Sequence, residues 1–277
     1  IVYKDEGNSS YGTSVVGTVS GTNISFGTPV VYSSATTSSN SAVFDSNSNK
    51  VVVGYTAGAK VGTISGTGIS FGSQTAFIAS PASRTSMVFD SNSNKVVISS
   101  RGQSADKSWS AVGTVSGTSI SFGTAVQIGT SINNANINST FDSNSNKVVV
   151  AFGDGANSNR GTAIVGTVNG TAISFGSEVV FNTSEVAITQ NSSFDTESNK
   201  IVLAYKDKDN SNTLTFIEGT VSGTSISFGS KQAATGVVGG NTIGTVFDSN
   251  SKRTVSSTTY NPGKTVVYQA ASTNLTA

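Results

Sequence analysis

Apolar residues fall along this chain in short runs of two kinds. Runs such as Val51-Val52-Val53 and Val148-Val149-Val150 are apolar at successive positions, whereas Ile173-Ser174-Phe175 alternates. An unbroken β-branched run predicts a strand covered on both faces, and an alternating one predicts a strand with one face in water. Four such segments follow one another at 139–143, 147–152, 163–169 and 172–181, designated strands a, b, c and d. Each is short and rich in Val, Ile, Thr or Phe, the composition of strands.

The pattern repeats. Phe-Asp-Ser-Asn-Ser-Asn-Lys stands at 44–50, 89–95 and 141–147, returns as FDTESNK at 194–200 and decays to FDSNSKR at 247–253. A second motif, Gly-Thr-Val-Ser-Gly-Thr-x-Ile-Ser-Phe-Gly with small variations, begins at Gly17, Gly62, Gly113, Gly166 and Gly219, giving periods of 45, 51, 53 and 53 residues. Periods of this size belong to solenoids, propellers and arrays. The Asp-Ser-Asn-Ser-Asn cluster between a and b holds residues that bond their own backbone and accept left-handed geometry, which makes it a hairpin turn. Between c and d stands Ser-Gly-Thr, or Asn169-Gly170 in the fourth copy, the strongest short hairpin signal.

Two hairpins in every unit predict an all-β fold, a β-propeller of four-stranded antiparallel blades. A parallel β-solenoid competes, but its coils need no paired hairpins. The strands run b, c, d, then through four complete units, then a, b, c. The first and last blades are therefore incomplete, with six blades expected and five the alternative. A single domain is expected over 1–271, with 272–277 the start of a linker or tail. Ile1 falls partway through a repeat, so the chain is expected to be a piece of something longer. The recurring Phe26, Phe71, Phe122, Phe175 and Phe228 are expected to fill the space between blades, and the recurring strand-c glycines to admit a neighbouring backbone.

Composition then narrows the chemistry. Only 11% of residues are charged, the net charge is +1 and no basic run exists, which argues against nucleic acid and anionic membrane as partners. No run approaches the ~20 apolar residues of a membrane span. Cysteine is absent, which excludes disulfides and thiolate metal sites, and histidine is absent, which removes the commonest general base and metal ligand. Paired carboxylates cleave glycosides without histidine, so a glycan-degrading enzyme is an alternative to weigh. Asp45, Asp90, Asp142, Asp195 and Asp248, however, recur once per unit and read as turn residues. Glu178, Glu185, Glu197 and Glu218 reveal no pairing in the sequence, and no enzyme activity is expected.

Internal copies show where variation is allowed. The a–b and c–d turns barely change. From the Phe of the Asp turn to the strand-c Gly the distance is 18, 24, 25 and 25 residues, so the b–c connection accepts changes in length. The d–a connections at 33–40, 79–86, 129–138, 182–190 and 233–242 differ in sequence. In a propeller these two connections share one face, and loops on rigid scaffolds carry binding. Three b–c loops keep an Asp-x-x-Asn-Ser frame, Asp5/Asn8/Ser9, Asp154/Asn157/Ser158 and Asp207/Asn210/Ser211, followed by a changing tip at Tyr11, Arg160 or Thr213. Asp5, Asn8, Tyr11, Asp154, Asn157, Arg160, Asp207 and Asn210 are thus candidate ligand-binding residues. Trp109, the sole tryptophan, joins them because an indole face stacks on a sugar ring. The competing readings are loops that drift unconstrained and a Trp that fills a blade edge.

The Asp turns have the alternate-oxygen spacing of calcium loops, shared by Asp207-Lys208-Asp209-Asn210-Ser211. They lack the glycine and the bidentate glutamate of such loops, and Lys sits beside the would-be ion in four of them. That leaves Asp207 and Asp209 as the one calcium candidate, and no other cofactor is expected.

The units FDSNSNKVVVAF and GTAIVGTVNGTAISFGSEVVF resemble the repeats of large structural or tail-fibre-like appendage proteins of marine bacteriophages, over nearly the whole chain. The resemblance implies a virion appendage or surface module, placed outside the cell, that binds a host-surface glycan or protein through its b–c and d–a loops. It also implies other virion or fibre subunits as partners and a homo-oligomeric assembly. A purely structural spacer or capsid or tail decoration is the alternative. The short second unit and the degenerate last one depart from the pattern.

Overall fold

The computed structural model describes residues 1–78, 82–102, 107–129, 137–259 and 262–270. The expected tail at 272–277 and parts of the connections at 79–86 and 129–138 lie outside the described residues. Every described element is a strand apart from two single 3-10 turns.

Repeat 2 shows the plan: a Ser41–Asp45, b Lys50–Tyr55, c Gly58–Ser65 and d Gly68–Phe71 pair antiparallel in that order. Repeat 3 follows it with Ala82–Asp90, Lys95–Gly102, Ser108–Ser116 and Ser119–Phe122. Repeat 4 has Ile137–Asp142, Lys147–Asp154, Arg160–Asn169 and Ala172–Phe175. In repeat 5, b, c and d are Lys200–Asp207, Thr213–Ser222 and Ser225–Phe228. Repeat 1 begins at b, Val2–Asp5, and repeat 6 has described strands a, b and c, Ile243–Asp248, Arg253–Thr258 and Lys264–Tyr268.

Asp turns close every a–b hairpin from within. In Asp45, Asp90, Asp142 and Asp195, Oδ1 accepts two backbone N–H bonds at 2.8 to 3.1 Å from the residues two and three positions on. Asn49, Asn94, Asn146 and Asn199 then take left-handed geometry at φ near 55°, which Asn accepts readily.

Contacts gather the chain into two compact units, one of 1–105, 109–127 and 169–173, the other of 106–108, 128–168 and 174–277. In each, the core lies between successive sheets, and the unbroken apolar runs of strand b serve two cores at once. Val52 packs with Val61, Met87, Val96 and Ile120, while Val53 turns to Tyr32 and Tyr55. In the second unit Ile201, Leu203 and Tyr205 meet Val149, Val165 and Phe181, whereas Val202 and Ala204 meet Phe216 and Ile243. Each such side chain contributes about 1.5–3 kcal/mol when fully buried.

Three expectations need correction. Strand d does not run through 172–181: it breaks after Phe175, and its second half, beginning at Val179, pairs further along strand c. The break sits at a glycine, Gly27, Gly72, Gly123 or Gly176, where a side-chain carbon would overlap the carbonyl of Thr67, Thr118, Thr171 or Thr224 in the next repeat's c–d turn. Nor is 182–190 a loop. Val179–Asp195 is one strand of 17 residues, held by Arg160↔Glu185 at one end and Val186↔Asp207 to Asp195↔Lys200 at the other. Finally, the strand-c glycines admit side chains of their own sheet, not a neighbouring backbone: Ile69 Cδ1 and Phe71 Cε1 would lie 2.8 and 3.0 Å from a Cβ on Gly62. Within strand d the Ile is the deeper of the pair, with Ile120, Ile173 and Ile226 3% exposed, while Phe122 and Phe228 are half-buried and pack against the core of the preceding blade as expected; in the first repeat Ile24 and Phe26 are 50% and 55% exposed alike.

Candidate functional site

The b–c turns explain their own Asp-x-x-Asn-Ser frame. Strand b of repeat 4 ends at Asp154, which caps the turn Gly155–Asn157 by accepting from Ala156 N at 3.0 Å. In repeat 5 Asp207 does the same for Lys208–Asn210, accepting from Asp209 N at 3.3 Å. Each turn ends on two small polar residues with φ of 51–60°, Ser158-Asn159 and Ser211-Asn212. Repeat 1 copies this with Ser9-Ser10, Asn8 N donating to Asp5 O at 3.1 Å and Tyr11 N to Asn8 O at 3.0 Å. Asp154 and Asp207 are buried and face their own turns, while Asp5 is half-buried. Outward stand Asn8, Asn210 and Arg160, all exposed, with Tyr11 and Asn157 half-buried. Trp109, half-buried, lies on strand c of repeat 3, near the start of Ser108–Ser116. Each group forms within its own repeat.

The d–a connections are tied to these turns by main-chain bonds. Thr37 N donates to Ser10 O at 3.1 Å, Ala82 N to Thr56 O at 2.9 Å and Gly239 N to Asn212 O at 2.8 Å. Both variable connections thus occupy one edge of a repeat, opposite the a–b and c–d hairpins.

Beneath this edge lies a cluster that the sequence did not reveal. The Lys231 ammonium stands 3.2 Å from Asp207 Oδ2 and also donates to Asn182 Oδ1, joining strand d of repeat 4 to strands b and d of repeat 5. The matching residues of the other repeats are Pro29, Gln74, Ala125 and Glu178, the position just past the conserved Phe-Gly where the motif changes charge. That change was the available signal. In repeat 2 Gln74 accepts from Tyr55 OH at 2.7 Å and donates to Ala57 O at 2.9 Å. In repeat 4 partial desolvation of the Glu178 carboxyl, and then the charge of Asp154, raise it above the usual carboxylate range. A calcium ion at Asp207 and Asp209 would have to displace Lys231. Among the described residues no group of three or more carboxylates is placed to hold a metal.

A separate cavity of about 350 Å³ is lined by Glu218, Gly229, Ser230, Gln232, Tyr268 and Gln269. Its carboxylate is engaged: Lys200 Nζ lies 2.6 Å from Glu218 Oε2, and the Tyr268 hydroxyl donates to Oε1.

No family model and no curated protein matches the sequence. Solved structures do match. AofleA from Arthrobotrys oligospora aligns over 95% of this chain and 77% of its own, with a TM-score of 0.61 and 9% identity. A variant of AofleA with three arginines changed to alanine gives 0.59 and 10%, over 95% and 78%. The SapL1 lectin, solved with α-methyl fucoside, aligns over 96% of this chain and 90% of its own, with a TM-score of 0.55 and 15% identity. The fold is a β-propeller. The repeats are its blades, and at these identities the likeness is one of fold, with no binding residue carried across. Among the described residues no helix is long and apolar enough to cross a membrane.

Proposed function

We propose that this β-propeller is a non-enzymatic carbohydrate-binding module, which takes a host-surface glycan at the b–c and d–a edge of its blades. One observation carries this reading. On one edge of repeats 2 to 6 the a–b turn is closed by the same Asp, whereas on the other edge main-chain bonds tie the connections together but the side chains differ from blade to blade. Such an edge presents changing chemistry on a fixed frame. The exposed Arg160, Asn8 and Asn210 offer hydrogen bonds to sugar hydroxyls, and the ring faces of Tyr11 and Trp109 offer stacking surface. The lectin neighbours support a glycan as the ligand class, since SapL1 was solved with a methyl fucoside. The repeat's resemblance to phage appendage proteins supports a place on a virion surface, beside other fibre subunits and outside the cell.

A glycan array probed with the full chain tests the proposal. Exchanging 153–161 and 206–214 for the short connection 56–60 is expected to abolish or redirect binding. Unchanged binding by that variant refutes the assignment of the edge.

A further inference from the structure

At the junction of blades 4 and 5 the fold sets an amine, an amide and a carboxylate against one another. Asn182 lies on the strand Val179–Asp195, Asp207 ends strand b of blade 5, and Lys231 follows the break in its strand d. The Lys231 ammonium donates to Asn182 Oδ1 and stands 3.2 Å from Asp207 Oδ2. Asn182 is 1% exposed and the Asp207 side chain 4%, so amide and carboxylate are held away from water while the lysine, 38% exposed, reaches them from the rim.

Each group is fixed from behind. The ladder slips on both sides of the Gly161↔Asn182 pair, a bulge of the kind that re-aims a side chain. Asp207 Oδ1 accepts from Asp209 N at 3.3 Å, which leaves Oδ2 to the lysine. Next to Asn182, the Phe181 ring packs on Tyr205 and Phe228, with centroids 5.4 and 5.6 Å away. The trio is not a property of the repeat: no other pair of consecutive units holds all three groups, and repeats 3 and 4 give Gly129, Asp154 and Glu178 at the same positions. An ion pair needs only Lys231 and Asp207. The buried amide is the additional member, and its carbonyl carbon is one bond from the oxygen that the amine touches.

We infer that Lys231 and Asn182 join covalently, in a side-chain amide cross-link that the chain forms by itself with Asp207 as the proton carrier. Nζ gives a proton to Asp207 Oδ2 and becomes a nucleophilic amine. Its electron pair attacks Asn182 Cγ, so the Nζ–Cγ bond forms; Asp207 passes the proton to Nδ2, the Cγ–Nδ2 bond breaks and ammonia leaves. The excess proton still on Nζ departs with the ammonia as ammonium, and Asp207 ends as the carboxylate it was. Holding the three groups in contact replaces an encounter by an intramolecular step, which is what lets an unactivated amide react. The product ties two blades together across 49 residues of chain. The inference stands apart from glycan binding.

Mass spectrometry of the denatured full chain, fresh and after prolonged incubation, tests this. Wild type is expected to weigh one ammonia less than its sequence, and trypsin should release one branched peptide that holds both Asn182 and Lys231. Lys231→Arg keeps the positive charge but forms no such amide, and should show its full mass and a lower thermal midpoint. Asp207→Ala should cross-link about 100-fold more slowly or not at all. A wild type of full mass at both times overturns the inference, as does a loss of ammonia that maps to any other residue. A cross-link formed at the wild-type rate in Asp207→Ala overturns the role given to Asp207. Should that variant fail to fold, the wild-type mass and its branched peptide still decide whether the bond exists.

Discussion

The Tyr268 hydroxyl donates to Glu218 Oε1 at 2.9 Å, and each residue breaks the repeat at its own position. Tyr268 stands where blades 1 to 5 carry the strand-c glycine, and Glu218 where the first four carry Val16, Val61, Val112 and Val165. Elsewhere Ile and Phe of strand d cover that glycine. Here Tyr268 supplies its own ring, stacked on Phe216 with centroids 4.6 Å apart and planes 10° apart. The two departures compensate one another, with Lys200 completing the pair at 2.6 Å.

Removing Glu218 should therefore hurt more than removing the hydroxyl. Glu218→Ala leaves the Lys200 ammonium, 18% exposed, without its carboxylate and is expected to cost about 3 kcal/mol. Tyr268→Phe is expected to cost about 1 kcal/mol. Urea unfolding of both single variants and the double variant checks this, the double costing less than the sum because the residues share a bond.

Glycine replacement should separate two kinds of site that look alike in sequence. Gly72→Ala and Gly176→Ala drive a methyl into the carbonyl of Thr118 or Thr224 and are expected to destabilise by several kcal/mol, about 3 or more. At Gly229 the nearest described atom to such a methyl is Glu218 O at 3.9 Å, so Gly229→Ala should be within about 0.5 kcal/mol of wild type. Thermal midpoints of the three variants decide the matter.

Lys252 holds left-handed geometry at φ 56°, where the other Asp turns carry Asn. Lys252→Asn should stabilise by about 1 kcal/mol, since a long side chain is strained there and Asn is not. The ion pair it gives up, to Glu197 at 2.9 Å with both side chains about half exposed, contributes little. The reverse change, Asn199→Lys, should lose a similar amount, and a denaturation series on both variants measures the difference.

Alkali should unfold the protein by way of its buried phenols. Burial pushes Tyr32 and Tyr55 up to about 12 from 10.0, with Tyr32 adding to the effect on Tyr55. The folded state therefore keeps protons that the unfolded chain releases near pH 10, so this stabilisation is intact below pH 10 and is lost as pH rises toward 12. Tyr55→Phe should make that alkaline fall shallower, while costing about 1 kcal/mol at neutral pH through the lost bond to Gln74. Denaturant midpoints measured across this range test the sign.

The strands, both hairpins and the double-sided burial of Val51 to Val53 were legible in the sequence, because each follows from a local period or from the chemistry of a turn residue. The Asp of the a–b turn was legible for the same reason: its partners lie two and three residues away. The break in strand d was not, since it arises where Thr224 of one blade meets Gly176 of another, and no local pattern encodes that. The strand over 182–190 was missed because Asn-Thr-Ser-Glu reads as loop, and pairing to Arg160 and Asp207 overrides that preference. At the candidate site, spacing found the Asp-x-x-Asn-Ser frame but not its meaning, which is capping. The Lys231–Asp207–Asn182 cluster was out of reach, since its members lie 24 and 49 residues from Lys231.

The stacking of Thr carbonyl on Gly has a consequence for how such a chain changes over time. The contact uses a main-chain oxygen on one side and the lack of a side chain on the other, so it holds no memory of which blade it joins. Units of this kind are interchangeable parts: duplicating, deleting or reordering one asks for no new interface, and the edge that meets the ligand can be recombined while the scaffold stays as it is.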